Sequence, residues 1–275
     1  MKRNIIFGCI FLVGFGVFLY PTVSNWLATR AHYSAVSSFD TKIKAMEKQE
    51  IELRAKEADE YNKKVQNSTQ PLTDPFNGQK NRNSNSYADA LNIGDVMGYI
   101  EIPKIDVKLP IYQGTSEEVL SRGVGHVDES SLPIGGEGTH TVLTGHRGLP
   151  SAVLFSNLDK LEKSDVFYIH SLDKTLAYRV DQIKVVLPNE TNDLLVVKDQ
   201  DYATLITCTP YGVNTHRLLV RGHRIPLNAQ EKEKESASKS FFPEELMIWM
   251  IIVPIAILVV LIIYMKIRKK SLPVR

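Results

Sequence analysis

Residues 201–212 read Asp201-Tyr202-Ala203-Thr204-Leu205-Ile206-Thr207-Cys208-Thr209-Pro210-Tyr211-Gly212. The first eight are rich in β-branched and apolar side chains, and the Pro-Tyr-Gly that follows is turn chemistry, so a strand delivers Cys208 to the mouth of a turn. Arg217-Leu218-Leu219-Val220-Arg221 begins a second run nine residues after the cysteine, which suits a neighbouring strand joined through the 209–216 loop. Further short apolar or alternating runs lie at Met97–Ile102, Val107–Tyr112, Thr139–Thr144, Asp165–His170, Thr175–Leu187, Asp201–Cys208 and Leu218–Arg224. Gly, Pro, Asn and Asp punctuate them, and strands at this spacing predict a mostly antiparallel barrel or sandwich. The block they define, 93–227, is close to the commonest domain size of about 100–150 residues and can bury its own core.

Cys208 is the only cysteine of that block; the other, Cys9, lies in an apolar run near the N-terminus, so no disulfide can form within the block. A lone cysteine is commonly a small buried hydrophobe. Here the turn directly after Cys208 argues against deep burial and makes it a candidate nucleophile. The reactive form is the thiolate, whose unperturbed pKa is about 8.5, so a partner is needed. His126, His140, His146, His170, His216 and His223 compete for that role, and spacing alone does not choose among them. His146 has the best context, in Thr144-Gly145-His146-Arg147-Gly148, where an alternating strand runs into a Gly-flanked loop. His170 and His223 sit in strand patterns, and His126 and His140 stay open as outer groups. Arg217, at the start of its strand, is either an ordinary surface charge or a fixed guanidinium able to hold an oxyanion or a carbonyl.

Net charge is +2, from 33 Lys and Arg against 31 Asp and Glu, which implies no nucleic-acid-sized basic patch. Leu246–Met265 carries no charge and is long enough to cross a bilayer core of about 30 Å. A second apolar run, Ile5–Tyr20, follows Lys2 and Arg3 and is either a cleaved signal segment or a retained anchor. Retention is favoured, because the run exceeds the usual signal-peptide apolar length of about 7–15 residues and no small-x-small cleavage site precedes Arg30. Lys266, Arg268, Lys269 and Lys270 follow the second run, so by the positive-inside rule both termini face the cytoplasm and everything between lies outside. The expected organisation is an anchor or signal segment (1–30), a helical region (31–65), a loop (66–92), the β-rich block (93–227), a charged tether (228–245), a transmembrane helix (246–265) and a basic tail (266–275). The helical region, with Glu50/Arg54, Glu52/Lys56 and Glu60/Lys64 spaced for surface pairing, reads as a solvated helix or two. The 66–92 loop is dominated by Asn, Ser, Gln and Pro, has little apolar content, and contains Asp74-Pro75-Phe76.

Thr204-Leu205-Ile206-Thr207-Cys208 matches the Thr-Leu-x-Thr-Cys signature of the sortases, and the continuation through Thr209-Pro210-Tyr211-Gly212 to Arg217 resembles the class C branch. The likeness covers the whole 93–227 block. It implies the sortase fold, a closed β-barrel of about eight strands, with an N-terminal helical region and two flanking transmembrane helices. It implies Cys208 as nucleophile, His146 as general acid and base, Arg217 as oxyanion or positioning group and Thr207 as a supporting residue. The C-terminal apolar helix is similar to class C members, and Asp74-Pro75-Phe76 looks like their lid, with Asp74 facing Arg217 and Phe76 lying over Cys208. Phe stands where some class C lids have Trp. The activity implied is transpeptidation: cleavage of a Leu-Pro-x-Thr-Gly-type sorting signal between Thr and Gly and transfer to a pilin lysine. No cofactor or metal is expected, and the partners are pilin subunits and the membrane, not nucleic acid. The alternatives are a sortase that attaches surface proteins to peptidoglycan, or a non-catalytic membrane-tethered β-barrel binding protein.

Overall fold

The computed structural model describes residues 2–68, 72–77, 91 and 93–227. Eight strands close on themselves: β1 (Gly98–Ile102), β2 (Val107–Gln113), β3 (Val124–His126), β4 (Thr139–Thr144), β5 (Val166–Ser171), β6 (Lys174–Val186), β7 (Asp201–Thr209) and β8 (His216–Ile225). Their order around the barrel is β1-β2-β3-β4-β7-β8-β6-β5. The ring is completed by β1 against β5, with Tyr99 opposite His170 and Glu101 opposite Tyr168, so no strand edge is left to pair with another chain. Two neighbouring pairs, β2/β3 and β4/β7, are parallel and the rest antiparallel. The expected closed barrel of about eight strands is therefore present. β3 has no counterpart in the sequence reading, because three residues are too few to show a period of two.

The interior is filled by Ile100, Ile102, Ile111, Leu143, Phe167, Tyr178, Leu205 and Val220, all buried to 1% exposure or less, with Phe167 and Tyr178 stacked at 5.6 Å. A second, smaller apolar cluster gathers Val142 of β4, Ile206 of β7 and Leu219 of β8 with Leu72, Val127 and Leu194. Strand alternation puts Thr204, Ile206 and Cys208 on one face and Ala203, Leu205 and Thr207 on the other. This cluster consequently floors the face on which Cys208 stands.

Two helices precede the barrel. Helix α1 runs from Lys2 to Ala45, through Pro21 and through residue 30, where the helical region was expected to begin; α2 covers Lys48–Gln66. Both lay a face on the barrel instead of standing wholly in solvent. Val36 and Phe39 of α1 are buried, and Phe39 meets Tyr99 edge-on at 6.1 Å. In α2, Tyr61 donates to the Asp128 carbonyl, and the Asn62 side chain exchanges two hydrogen bonds with the Leu132 backbone, at 2.7 and 3.2 Å. The outward face keeps the expected Glu50/Arg54 pair at 2.9 Å. A short helix α3 (Glu117–Arg122) is capped by Ser116, whose Oγ accepts from the Val119 N–H. Among the described residues, α1 alone is long and apolar enough to cross a membrane. The second expected span, residues 246–265, lies outside the described residues, as do the tether and the tail.

Candidate active site

The site is assembled where β4, β7 and β8 end. In the antiparallel β7/β8 pair Cys208 is directly opposite Arg217, so both side chains leave the same face of the sheet. The flanking pair, Thr209 and His216, consequently faces the other way, and the His216 ring is engaged by Thr215 at 2.9 Å. On the other side, β4 lies parallel to β7 with Thr144 opposite Ile206. The Gly145 N–H continues the ladder to the Ile206 carbonyl at 3.1 Å, and Thr207 Oγ1 donates to the Gly145 carbonyl at 2.7 Å. His146 follows Gly145 directly, on the loop that leaves β4 beside the end of β7. Thr207 thus fastens the backbone that presents the histidine, while its neighbour in sequence is the cysteine.

The loop carrying His146 is further tied to the loop after Cys208. Arg147, with only 9% of its side chain exposed, donates to Thr209 Oγ1 at 3.3 Å and to Asp159 Oδ2 at 2.5 Å, and its guanidinium lies 5.7 Å from the Tyr211 ring centre. Gly148 has φ +82, a left-handed conformation, and a methyl there would come within 3.1 Å of the Tyr211 ring, so glycine serves both the turn and the close approach. His146 Nε2 lies 3.2 Å from each carboxylate oxygen of Glu117 at the first turn of α3. Sequence reasoning missed Glu117, Arg147 and Tyr211. Nothing local marks Glu117, which is 29 positions from His146 and looks like an ordinary first-turn helix acid.

The other histidines separate from the site. His126 is fully buried against the Ser131 carbonyl and the Ser130 hydroxyl, and His140 is bound between Thr204 Oγ1 and the Leu195 carbonyl. Burial lowers both to about 4, so they are neutral, fixed acceptors and donors within the frame. His170 stacks on Tyr99 at 4.1 Å, and His223 lies 3.8 Å from Asp181.

Residues 72–77 lie as a strap over this rim. Asp74 accepts from Arg217 in a two-pronged pair, Nε to Oδ1 at 2.8 Å and Nη2 to Oδ2 at 2.7 Å. The Asp74 side chain is 3% exposed and that of Arg217 is 11%, so the pair is buried despite the polar composition of the segment around it. The Arg217 guanidinium is 5.0 Å from the Phe76 ring centre, and that ring is 5.7 Å from the His146 ring. Phe76 therefore rests between Arg217 and His146. Leu72 drops into the apolar cluster with Val142, Ile206 and Leu219, an anchor that the loop's composition concealed.

These contacts set the electrostatics. Burial pushes the Cys208 thiol above its ordinary value; the Arg217 guanidinium pulls it down, and the Asp74 carboxylate adds to the rise. Burial, the largest single influence, disfavours the charged form of Arg217, but its hydrogen bonds to Asp74 together with the charges of the thiol and the Asp74 carboxylate raise its pKa overall. Nη1 is also occupied, donating to the Asn214 and His216 carbonyls at 3.1 Å each. Of five guanidinium N–H groups, four are thus spent while the strap is closed. Among the described residues no group of three His, Cys, Asp or Glu side chains could hold a metal ion.

The sortase-domain family profile matches residues 100–225, the barrel itself. Among solved structures, sortase C of Streptococcus pneumoniae is 48% identical, covering 71% of this chain and 98% of its own, with a TM-score of 0.66. A pilus-related sortase C of Group B Streptococcus is 51% identical over 70% of this chain and 97% of its own, with a TM-score of 0.65. Sortase D of Bacillus subtilis is 31% identical over 135 residues, 48% of this chain; the match spans 65% of that curated relative's length. The chain belongs to the sortase family, and its solved relatives place it in the class C branch.

Proposed function

We propose that the chain is a membrane-anchored cysteine transpeptidase that polymerises pilins. The observation that carries this reading is the convergence of Cys208, Arg217 and the His146 loop on one rim of the barrel, under a strap whose acid already grips the arginine. The pilin substrates enter by likeness: the pneumococcal relative acts on a pilin substrate and the Group B enzyme is pilus-related.

In the reaction, the Cys208 thiolate attacks the carbonyl between Thr and Gly of a Leu-Pro-x-Thr-Gly-type signal. Arg217 stabilises the developing oxyanion, and His146 in its protonated form gives its proton to the departing amine, leaving a thioacyl-enzyme. A lysine amine of the next pilin then loses a proton to His146 and attacks the thioester, forming an isopeptide bond and regenerating the thiol. Closed, the strap leaves Arg217 a single unengaged donor, and withdrawal of Asp74 frees the Nε and Nη2 donors for an oxyanion, so turnover begins with that withdrawal. That withdrawal lessens the burial that chiefly raises the thiol pKa and removes the Asp74 carboxylate that adds to the rise, so opening exposes the nucleophile and favours its ionisation together. The strap's Leu72 occupies the apolar floor beside Cys208 that an incoming leucine side chain of the signal would need. Substrate and strap accordingly compete for one groove.

Co-expression with a pilin bearing the sorting signal tests the reading. High-mass ladders resistant to boiling in detergent, absent with Cys208→Ala, are the expected result. Transfer of the signal only to a peptidoglycan-type amine, or unchanged ladders from the alanine variant, would overturn it.

A further inference from the structure

The anchor helix is bonded to the catalytic loop. Ser24 Oγ of α1 donates to the Ser151 carbonyl at 3.5 Å, and the Val153 N–H donates to Asn25 Oδ1 at 3.0 Å. Ser151 and Val153 lie on the loop that begins at His146, whose carbonyl accepts from Phe155 N–H. Position along α1 gives these contacts a depth. No charge occurs between Arg3 and Arg30, and about 20 residues at about 1.5 Å each cross a hydrocarbon core of about 30 Å. Counted from Ile5, the core ends near Ser24. Trp26 follows, with the Arg30 guanidinium 5.6 Å from its ring centre, an aromatic and cationic pair suited to the headgroup layer. Residues 151–153 are thus fastened to the helix at the outer membrane interface.

Farther along α1, roughly 21 Å of helix beyond Asn25, Phe39 packs on Tyr99 of β1. On the 148–153 and 209–216 loops three apolar side chains stand out: Val153 is 41% exposed, Tyr211 61% and Val213 64%. Tyr211 reaches the Gly148 turn, so its loop and the 148–153 loop share one rim.

We infer that the lipid surface itself is the partner of this rim: the barrel sits with its active-site end against the outer leaflet, and Val153, Tyr211 and Val213 enter the headgroup layer. The inference rests on the proposed retention of α1 as a membrane anchor. Its consequence is positional, because a sorting signal still held in the same membrane meets the cleft without leaving the surface.

The test uses the full chain with Cys9→Ala and Cys208→Ala, carrying single cysteines in place of Gly14, Val153, Val213 or Asp173 of the β5/β6 turn, labelled with bimane and reconstituted in phosphatidylglycerol/phosphatidylcholine vesicles. Val153, Val213 and Asp173 are all exposed, so cysteine there leaves the packing intact. Headgroup-nitroxide lipid should quench positions 153 and 213 at least threefold more than 173, and acyl-chain nitroxide should quench position 14. Quenching at 14 with 153 and 213 no more affected than 173 overturns the orientation while the anchor stands. No quenching at 14 removes the anchor and this inference together, and leaves the transpeptidase reading to the ladder assay.

Discussion

The two sides of the cleft are held by different forces. The wall formed by β4, β7 and β8 places Cys208, Arg217 and the His146 loop through consecutive ladder bonds, reinforced by Thr207 and Arg147. The strap across it has a backbone bond of its own, Asn77 N–H to the Asp74 carbonyl, and grips the wall through the side chains of Leu72, Asp74 and Phe76. A ladder cannot release one residue without straining its neighbours, whereas the described part of the strap, held by side chains, can leave as a unit. Chemistry is therefore assigned to the rigid side and access to the releasable one.

Substitutions on the wall should abolish activity without loosening the strap. Cys208→Ala is expected to reduce pilin polymerisation to background with an unchanged circular-dichroism melt, because the site lies at a strand end and not in the centre of the barrel. A shifted melt with lost ladders would make the cysteine a packing residue. Arg217→Lys sharpens the comparison, since the arginine belongs to both sides. A lysine cannot reproduce the two-pronged grip or the fixed donor fork, so turnover should fall by about 10²–10³ while alkylation of Cys208 accelerates. If turnover and labelling both stay at wild-type values, Arg217 is only a local charge.

Asp74→Ala combined with Phe76→Ala should affect only the releasable side. Burying one aromatic ring contributes about 1–3 kcal/mol, and a shielded two-pronged pair adds to it, so iodoacetamide labelling of Cys208 should speed up by about tenfold or more. Asp74→Asn alone should move the labelling midpoint to lower pH, because the carboxylate raises the thiol pKa. Equal rates and midpoints would make residues 72–77 a passive linker.

The buried histidines give the smallest effect and lie outside both sides. His126 and His140 fall from about 6.5 unfolded to about 4 folded, so their stabilising share is complete above pH 6.5 and is lost as the pH drops towards 4. Between pH 7.5 and 5.5 each should cost about 1 kcal/mol of unfolding free energy. Urea titrations of His140→Gln against the parent should show a shallower loss over that range. Identical slopes would mean that burial leaves the His140 pKa at its unfolded value.

How much of this was legible in the chain follows from the range of the interactions. The strand carrying Thr204–Cys208, its partner starting at Arg217 and the turn between them are local patterns, and the barrel grew out of repeats of the same signal. The lid motif could be named from Asp74-Pro75-Phe76, but composition made it look loose. Its burial depends on Arg217, 143 positions away, and on a groove floored by three separate strands. Spacing alone did not choose among six histidines, and local context favoured His146; the structure carries the His146 loop off the end of β4, which lies beside β7, and holds His126 and His140 in neutral, buried bonds. By itself the sequence determined the candidate nucleophile, the class of fold and the apolar N-terminal helix, because each is written in periodicity, turn chemistry and charge within a few residues. Only the tertiary structure decided the company that nucleophile keeps: Glu117 at His146, Asp74 on Arg217 and the anchor helix on the catalytic loop. Those contacts join segments far apart in the chain, and they exist only once closure of the barrel has brought the segments together.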